Sequence, residues 1–420
     1  MKFIMVILLA LSMVLSNLPT TYAADKPADL EPLPQVRGEG AYLLDVQSGQ
    51  TLFSKNPDEQ LAPASTTKIM TGLLALERGN LNDVVTVSPT MLNSKLVYGT
   101  QIYLEPGEKL SLQDLLYAML LNSANDAAVT VAEHIGGDVQ SFVDLMNQRA
   151  QEIGATQTHF VNPSGLTEQG HVTTAHDLAL IARVAYQNPL FAQYVRTKSH
   201  SISRSKSDLP TQMVNENKML WQNSDVDGIK TGYTAAAENC LVASMTKDGR
   251  QLIGVILKSP GREIYTDMQN LFDYGYTNYS DKILKPAGSV LSSIMVNNEP
   301  VDLKIDRPIY LTQSLADQTP SSLTLKVTPS TVKLTSVQED QEVARVEIYD
   351  GSTLLDTLPL RAAQTIMPPS PVKNSNPNYH SWLVGIIPVG ALSLLLLRWK
   401  IDVDRRSRKR ILLARRRESN

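Results

Sequence analysis

The 420-residue chain holds one cysteine, no His-Glu-x-x-His run and no Gly-x-Ser-x-Gly turn, and its 39 basic and 42 acidic residues nearly cancel. Each shortage removes a class of protein. Cys240, being alone, forms no intrachain disulfide, so this is no disulfide scaffold. With Leu241, Val242 and Ala243 beside it, the thiol reads as a small buried side chain on a strand, and no polarising partner points to a catalytic role. The six histidines lack paired metal-ligand spacing, so neither a metal site nor a cofactor is expected. Without a nucleophile elbow, adjacent His176 and Asp177 do not build a Ser-His-Asp relay, and His176 reads as a structural or surface residue of its helix. A content of 42% hydrophobic and 19% charged residues excludes a disordered chain, and the length excludes a single small domain.

The net charge of −3 conceals unlike parts. Residues 1–23 carry Lys2, an apolar run of 13 residues from Phe3 to Leu15, and a polar stretch closing on Thr21-Tyr22-Ala23. This reads as an export signal cleaved after Ala23, because a spanning helix needs about 20 apolar residues. At the other end, the 16 residues from Trp382 to Leu397 are uncharged, and residues 398–420 hold ten basic and three acidic side chains. Trp382 and Trp399 suit the two membrane interfaces, and the Arg cluster belongs on the cytoplasmic side. Pro388 and the short run leave a helix lying on the membrane as the alternative. The expectation is a single-pass protein of the cell membrane with an extracytoplasmic body and a cytoplasmic tail. The tail contributes +7 and the first 23 residues +1, so residues 24–397 carry −11. Such a body invites no nucleic acid, and the basic cluster serves orientation and anionic lipid.

Between these ends the hydrophobic period changes twice. After a leader (24–39), two strands at 41–45 and 51–55 flank Gln47-Ser48-Gly49. Helical periodicity follows over 66–77, from Ser111 with Asp114 as a cap, over 125–135, around Phe142 to Ile153, and over 174–186. Strands return at DGIKTGYT, NCLVASMT and RQLIGVILKS, with an Asp-Gly turn between the last two, before a helix over 262–276. Strands at both ends of a helical block predict one α/β domain (40–282) whose sheet draws on both ends. From 285 to 362 the period is two, as in Val301 to Asp306, which predicts a separate small all-β sandwich. A linker (363–380) leads to the membrane segment (381–399) and the basic tail (400–420).

Serine three residues before lysine occurs five times, at Ser65, Ser203, Ser244, Ser330 and Ser370, so spacing alone proves nothing. Only Ser65 opens an apolar-periodic helix, where Lys68 shares its face and backbone N–H groups favour developing negative charge. Ser-x-Asn occurs at Ser54 and at Ser123. Ser54 ends a strand, whereas Ser123-Ala124-Asn125 breaks two apolar helices and alone would read as a cap. Lys230-Thr231-Gly232 occurs once, on a strand, with Gly232 permitting close approach of a backbone or ligand.

In that order the three motifs match the set shared by serine β-lactamases and penicillin-binding proteins. The stretches PASTTKIMTGLLALE, YLEPGEKLSLQDLLYAMLLNSANDAA, FVNPSGL, VDGIKTGYT and CLVASMT resemble the D-alanyl-D-alanine carboxypeptidases, the low-molecular-mass penicillin-binding proteins, over roughly residues 36–280. The resemblance implies a β-lactamase/transpeptidase-like α/β fold and a serine-type carboxypeptidase that trims peptidoglycan stem peptides ending in D-Ala-D-Ala, limits cross-linking and is inhibited by β-lactams. It implies that Ser65 is the nucleophile, Lys68 the base and Ser123 the relay to the leaving amine. Asn125 would hold the substrate backbone or Lys68, Thr231 and Lys230 would bind the terminal carboxylate, and the Ser65 and Tyr233 N–H groups would form the oxyanion hole. Arg262 is placed either to assist the carboxylate or as a solvated helix-start residue. A β-lactamase is the nearest alternative, but no Glu-x-x-Leu-Asn lies between Ser123 and Lys230. A penicillin sensor or wall-bound scaffold with a degenerate site is the non-enzymatic one.

Overall fold

The computed structural model describes residues 31–206, 208–316, 322–329, 334–368, 395–401 and 403. The expected export signal (1–23), part of the leader, and most of the linker, membrane segment and basic tail lie outside the described residues. Residues 395–401 are helical, and among the described residues no helix is long and apolar enough to cross a membrane.

The chain opens with strands β1 (Gly40–Asp45) and β2 (Thr51–Lys55), and later contributes β7 (Val226–Thr234), β8 (Glu238–Lys247) and β9 (Arg250–Ser259) to the same sheet. Every pairing is antiparallel and the order is β2-β1-β9-β8-β7, so β7 is an edge strand. As the sequence predicts, both ends of the helical block supply strands. The block consists of α1 (Lys68–Arg78), α2 (Leu112–Leu121), α3 (Asn125–Gly136), α4 (Val139–Ile153), α5 (Ala175–Tyr186) and α6 (Pro189–Arg196), with the short ribbons β3 (Val84–Thr86) with β4 (Lys109–Ser111) and β5 (Ser199–Ser201) with β6 (Gln212–Val214).

Capping follows the sequence signals. Ser111 Oγ accepts from Asp114 N and donates to the Asp114 carboxylate, Asp138 accepts from Ser141 N, and Thr174 accepts from Asp177 N. Helix α1 runs through the middle of this block, and all its residues from Lys68 to Ala75 are buried. Its apolar face packs into one continuous core with α2 to α6 and one face of the sheet. After the short α7 (Met219–Gln222), α8 (Ile264–Asn278) covers the opposite face, setting Met268, Leu271 and Phe272 against Leu43, Leu241 and Ile256. A sheet covered on both faces fixes its edge, which is why β7 is a stable wall for a site.

Beyond α8, β10 (Tyr279–Lys285) pairs with β13 (Ile309–Ser314), while β11 (Val290–Val296), β12 (Glu299–Ile305), β14 (Thr324–Pro329), β15 (Glu342–Asp350) and β16 (Thr353–Ala362) form a five-stranded sheet ordered β11-β12-β16-β15-β14. Among the described residues the expected small sandwich is thus one sheet and a two-stranded ribbon. The boundary expected between 282 and 285 falls inside β10, because that strand's hydrogen-bonding partner is β13, from beyond the boundary. The linker also starts later than 363, since Ala363 N bonds Asp302 O and Gln364 bonds Pro300 O.

Candidate active site

Ser65 lies not in the α-helix itself but in a 3₁₀ turn, Ala64–Thr67, that leads into α1. In a 3₁₀ turn residues i and i+3 eclipse, which brings Ser65 and Lys68 together more directly than α-helical spacing would. Ala64, immediately before Ser65, has φ 48°, a left-handed conformation that non-glycine residues adopt at a cost, so the surrounding contacts must impose it. Two glycines supply them. A Cβ on Gly165, itself at φ +87°, would fall 1.8 Å from Ala64 O, and one on Gly232 would fall 2.9 Å from Ser65 N.

Lys68 is fully buried, and its Nζ has three acceptors: Ser65 Oγ at 2.8 Å, Asn125 Oδ1 at 2.7 Å and the Ser164 carbonyl at 2.7 Å. The Asn125 amide is oriented by its Nδ2, which donates to Tyr98 O at 2.6 Å, so Oδ1 must face the lysine. A neutral amine has two protons and one lone pair. Asn125 Oδ1 and Ser164 O can only accept, so they take the two protons and the lone pair faces the Ser65 hydroxyl. Burial holds the Lys68 amine well below the usual lysine range, and the Lys230 ammonium presses in the same direction, against Glu216 and Asp126. These are the conditions for a lysine base.

Ser123 is 3% exposed and stands at φ 59° in the break between α2 and α3. Neither it nor Asn125 caps α3, because Ala124 occupies the N-cap with no side-chain bond and Asn125 is already helical. The simple capping reading of this tripeptide therefore fails, and its polar side chains face the site. The following Asp126 is buried and accepts from Ile102 N and Leu104 N, while Asn125 N donates to Thr100 O. These bonds hold the 98–104 loop along the rim.

The opposite wall is β7. Lys230 is 2% exposed, donates to Thr231 O at 3.1 Å, and has the Glu216 carboxylate 3.9 Å away. Burial lowers its ammonium from the usual value and Glu216 raises it again. Ser65, Ser123, Thr231, Gly232, Tyr233 and Arg262 line one cavity of about 320 Å³, together with Thr100, Glu216, Lys218 and Tyr265. Tyr233 is 68% exposed at its mouth, and Arg262 is exposed just before α8. Cys240 also borders the cavity, but burial pushes its thiol up to about 12, which leaves it protonated and inert.

Three contributors escaped the sequence reading. The Ser164 carbonyl acts through its backbone, so its side chain gives no signal. Asn162 holds that loop, its Oδ1 accepting from Ser164 N, Gly165 N and Leu166 N. His171 braces the nucleophile turn. Its Nδ1 accepts from Val161 N, so the neutral ring carries its proton on Nε2 and donates to Thr67 Oγ1 at 2.9 Å. Burial pushes its imidazole down to about 4. The sequence signals available for these were only a turn-forming Asn-Pro-Ser-Gly and a histidine beside a glycine.

Comparison with known proteins agrees with this geometry. The family described as D-alanyl-D-alanine carboxypeptidase, Peptidase_S11, matches residues 26–261. The chain is 30% identical over 374 residues to the D-alanyl-D-alanine carboxypeptidase DacF of Bacillus subtilis, covering 87% of this chain and 94% of that one. Among solved structures it is similar to penicillin-binding protein 5 of Haemophilus influenzae, at 27% identity and TM-score 0.62, covering 80% of this chain and 99% of the other. It is likewise similar to the Streptomyces K15 DD-transpeptidase, at 29% identity and TM-score 0.55, covering 59% and 99%. With its SxxK, SxN and KTG residues gathered around one cavity, the chain belongs to the D-alanyl-D-alanine carboxypeptidases of peptidase family S11.

Proposed function

We propose that the enzyme removes the terminal D-alanine from peptidoglycan stem peptides through an acyl-enzyme on Ser65, and that penicillins trap the same serine. The observation that carries this is the Lys68 Nζ, buried, depressed by burial, and 2.8 Å from Ser65 Oγ. The substrate backbone lies along the free edge of β7, its terminal carboxylate beside Thr231, Lys230 and Arg262. Ser65 Oγ attacks the carbonyl between the two D-alanines and its proton passes to Lys68. The Ser65 and Tyr233 N–H groups take the oxyanion charge, Ser123 hands the proton to the departing amine, and D-alanine leaves. Water attacks the ester, Lys68 again taking the proton and passing it to the leaving Ser65 Oγ, and the shortened peptide departs. In a penicillin the amine stays tethered after ring opening and obstructs that water.

The enzyme acts outside the cytoplasm, held at the membrane by its C-terminal segment. This rests on the signal-like residues 1–23 and on the aromatic and basic residues flanking 382–397.

Mass spectrometry after penicillin treatment tests the chemistry. The adduct is expected on the peptide containing Ser65, and Ser65→Ala is expected to lose both the adduct and D-alanine release from a diacyl D-Ala-D-Ala peptide. An adduct that persists in Ser65→Ala removes the serine from this role.

A further inference from the structure

Two buried lysines in one site need opposite charge states: Lys68 neutral to accept a proton, Lys230 charged to depress Lys68 and receive a carboxylate. Burial alone drives both toward neutrality. Glu216 raises both, but its carboxylate stands against Lys230, so it offsets burial mainly there. It lies between β6 and α7, and both neighbours are pinned. Asn215 Nδ2 donates to Val195 O and Thr197 O, each at 3.0 Å, and Asn217 Nδ2 donates to Gly228 O on β7 at 2.9 Å. Glu216 N itself bonds Leu121 O, at the end of α2. A backbone fixed to α6, α2 and β7 thus presents the carboxylate at the cavity wall, with Oε2 3.9 Å from Lys230 Nζ.

We propose that Glu216 is a positioning residue for the reaction: it holds Lys230 as the site's cation and, through Lys230, leaves Lys68 as the site's base. The inference rests on the roles given to Lys68 and Lys230 above. The other ionisable groups facing this pair do not replace it. Asp126 acts on Lys68 from α3, and His171, near Lys68, is neutral. Lys218 and Arg262 are cations on the cavity wall, and Tyr265, also on the wall, is itself pushed up by burial and by Glu216.

The test is the pH profile of penicillin acylation of the purified full chain, for Glu216→Gln against the parent. Acylation rises as Lys68 deprotonates and falls as Lys230 deprotonates. The Glu216 carboxylate raises both lysines, so its removal moves both limbs to lower pH. The alkaline limb is expected to move by about half a unit to one unit, and the acid limb by less. Glu216→Asp keeps the charge on a shorter stem and is expected to return the alkaline limb part of the way. Unmoved limbs, whether or not the rate falls, overturn the proposal, because a merely structural residue changes the height of the profile and not its position. An acid limb that moves alone also overturns it, since Glu216 would then act on Lys68 and not on Lys230. A parent that forms no penicillin adduct would instead sink the reading of the site itself.

Discussion

His171 shows how one side chain outside the catalytic cavity sustains the nucleophile turn. It is 3% exposed, and its ring joins Val161 N to Thr67 Oγ1, between Ser65 and Lys68 in sequence. Its folded-state value of about 4 lies below the ordinary histidine value of about 6.5. Between those values the unfolded chain binds a proton that the folded one refuses, so stability falls as pH drops from about 6.5 toward 4, by roughly 3 kcal/mol in all. His171→Gln should flatten that stretch of the stability–pH curve, whatever it does to stability at neutral pH. Urea unfolding midpoints at several pH values give the comparison, and equal slopes in parent and variant would contradict a buried neutral imidazole. His176, whose Nδ1 stands 3.6 Å from an Asp58 carboxylate that is 59% exposed, is by contrast a surface feature, in keeping with the sequence reading of that residue.

At the scale of elements, the site depends on β7 closing against the 3₁₀ turn. Gly232 sits at that contact, where a Cβ would fall 2.9 Å from Ser65 N and 3.0 Å from the Ala64 Cβ. Both obstacles are short and stiff, so the strand or the turn must move. Gly232→Ala is expected to slow penicillin acylation by about 10²-fold or more, the usual consequence of displacing an oxyanion donor or nucleophile. It should cost only about 1–3 kcal/mol of stability, as for other overpacked positions. Unchanged acylation would mean that β7 does not set the geometry of Ser65. The elements around this contact were legible because each follows a local rule: a change from helical to strand pattern at β7, a hydrophobic face on α1, a capping Ser111 with Asp114. What was illegible has physical reasons too. The helix expected over 174–186 does end at Tyr186, but α6 went unread: Pro189 is its first residue with Asn188 as its cap, since proline is as suited to starting a helix as to stopping one. Ser65 and Lys68 read as α-helical because a single 3₁₀ turn leaves no trace in hydrophobic periodicity. The Ser164 carbonyl and the Glu216–Lys230 pair join residues far apart in sequence, and no local pattern encodes such pairs.

At the scale of the molecule, the catalytic sheet and the C-terminal strands meet through a buried polar junction rather than a flexible hinge. Arg250 on β9 donates to Asp45 on β1 at 2.8 Å and stands 3.0 Å from Asp281 on β10. Thr312 on β13 donates to Asp281 at 2.9 Å and meets Ser48 Oγ at 2.7 Å, and Gln50 accepts from Thr312 N. Arg183 makes a second tie, from α5 to the Leu355 carbonyl and the Asp356 carboxylate. One guanidinium thus serves two carboxylates, and burial with the Asp45 charge pushes the Asp281 carboxyl up to about 6, against the pull of Arg250. An ordinary aspartate titrates near 3.9, so between about 4 and 6 the folded chain binds a proton that the unfolded chain has released. The contribution of Asp281 is therefore full below about 4 and is lost as pH rises through 6. Asp281→Asn keeps the shape and removes the excess charge, while Asp45 still pairs Arg250. Relative to the parent, the variant should gain as pH rises from 4 to 7, on the order of a few °C in Tm, with penicillin acylation unchanged because the junction lies outside the catalytic cavity. A Tm difference that is constant across that range would show that Asp281 carries no such penalty and that the junction is held by hydrogen bonds alone.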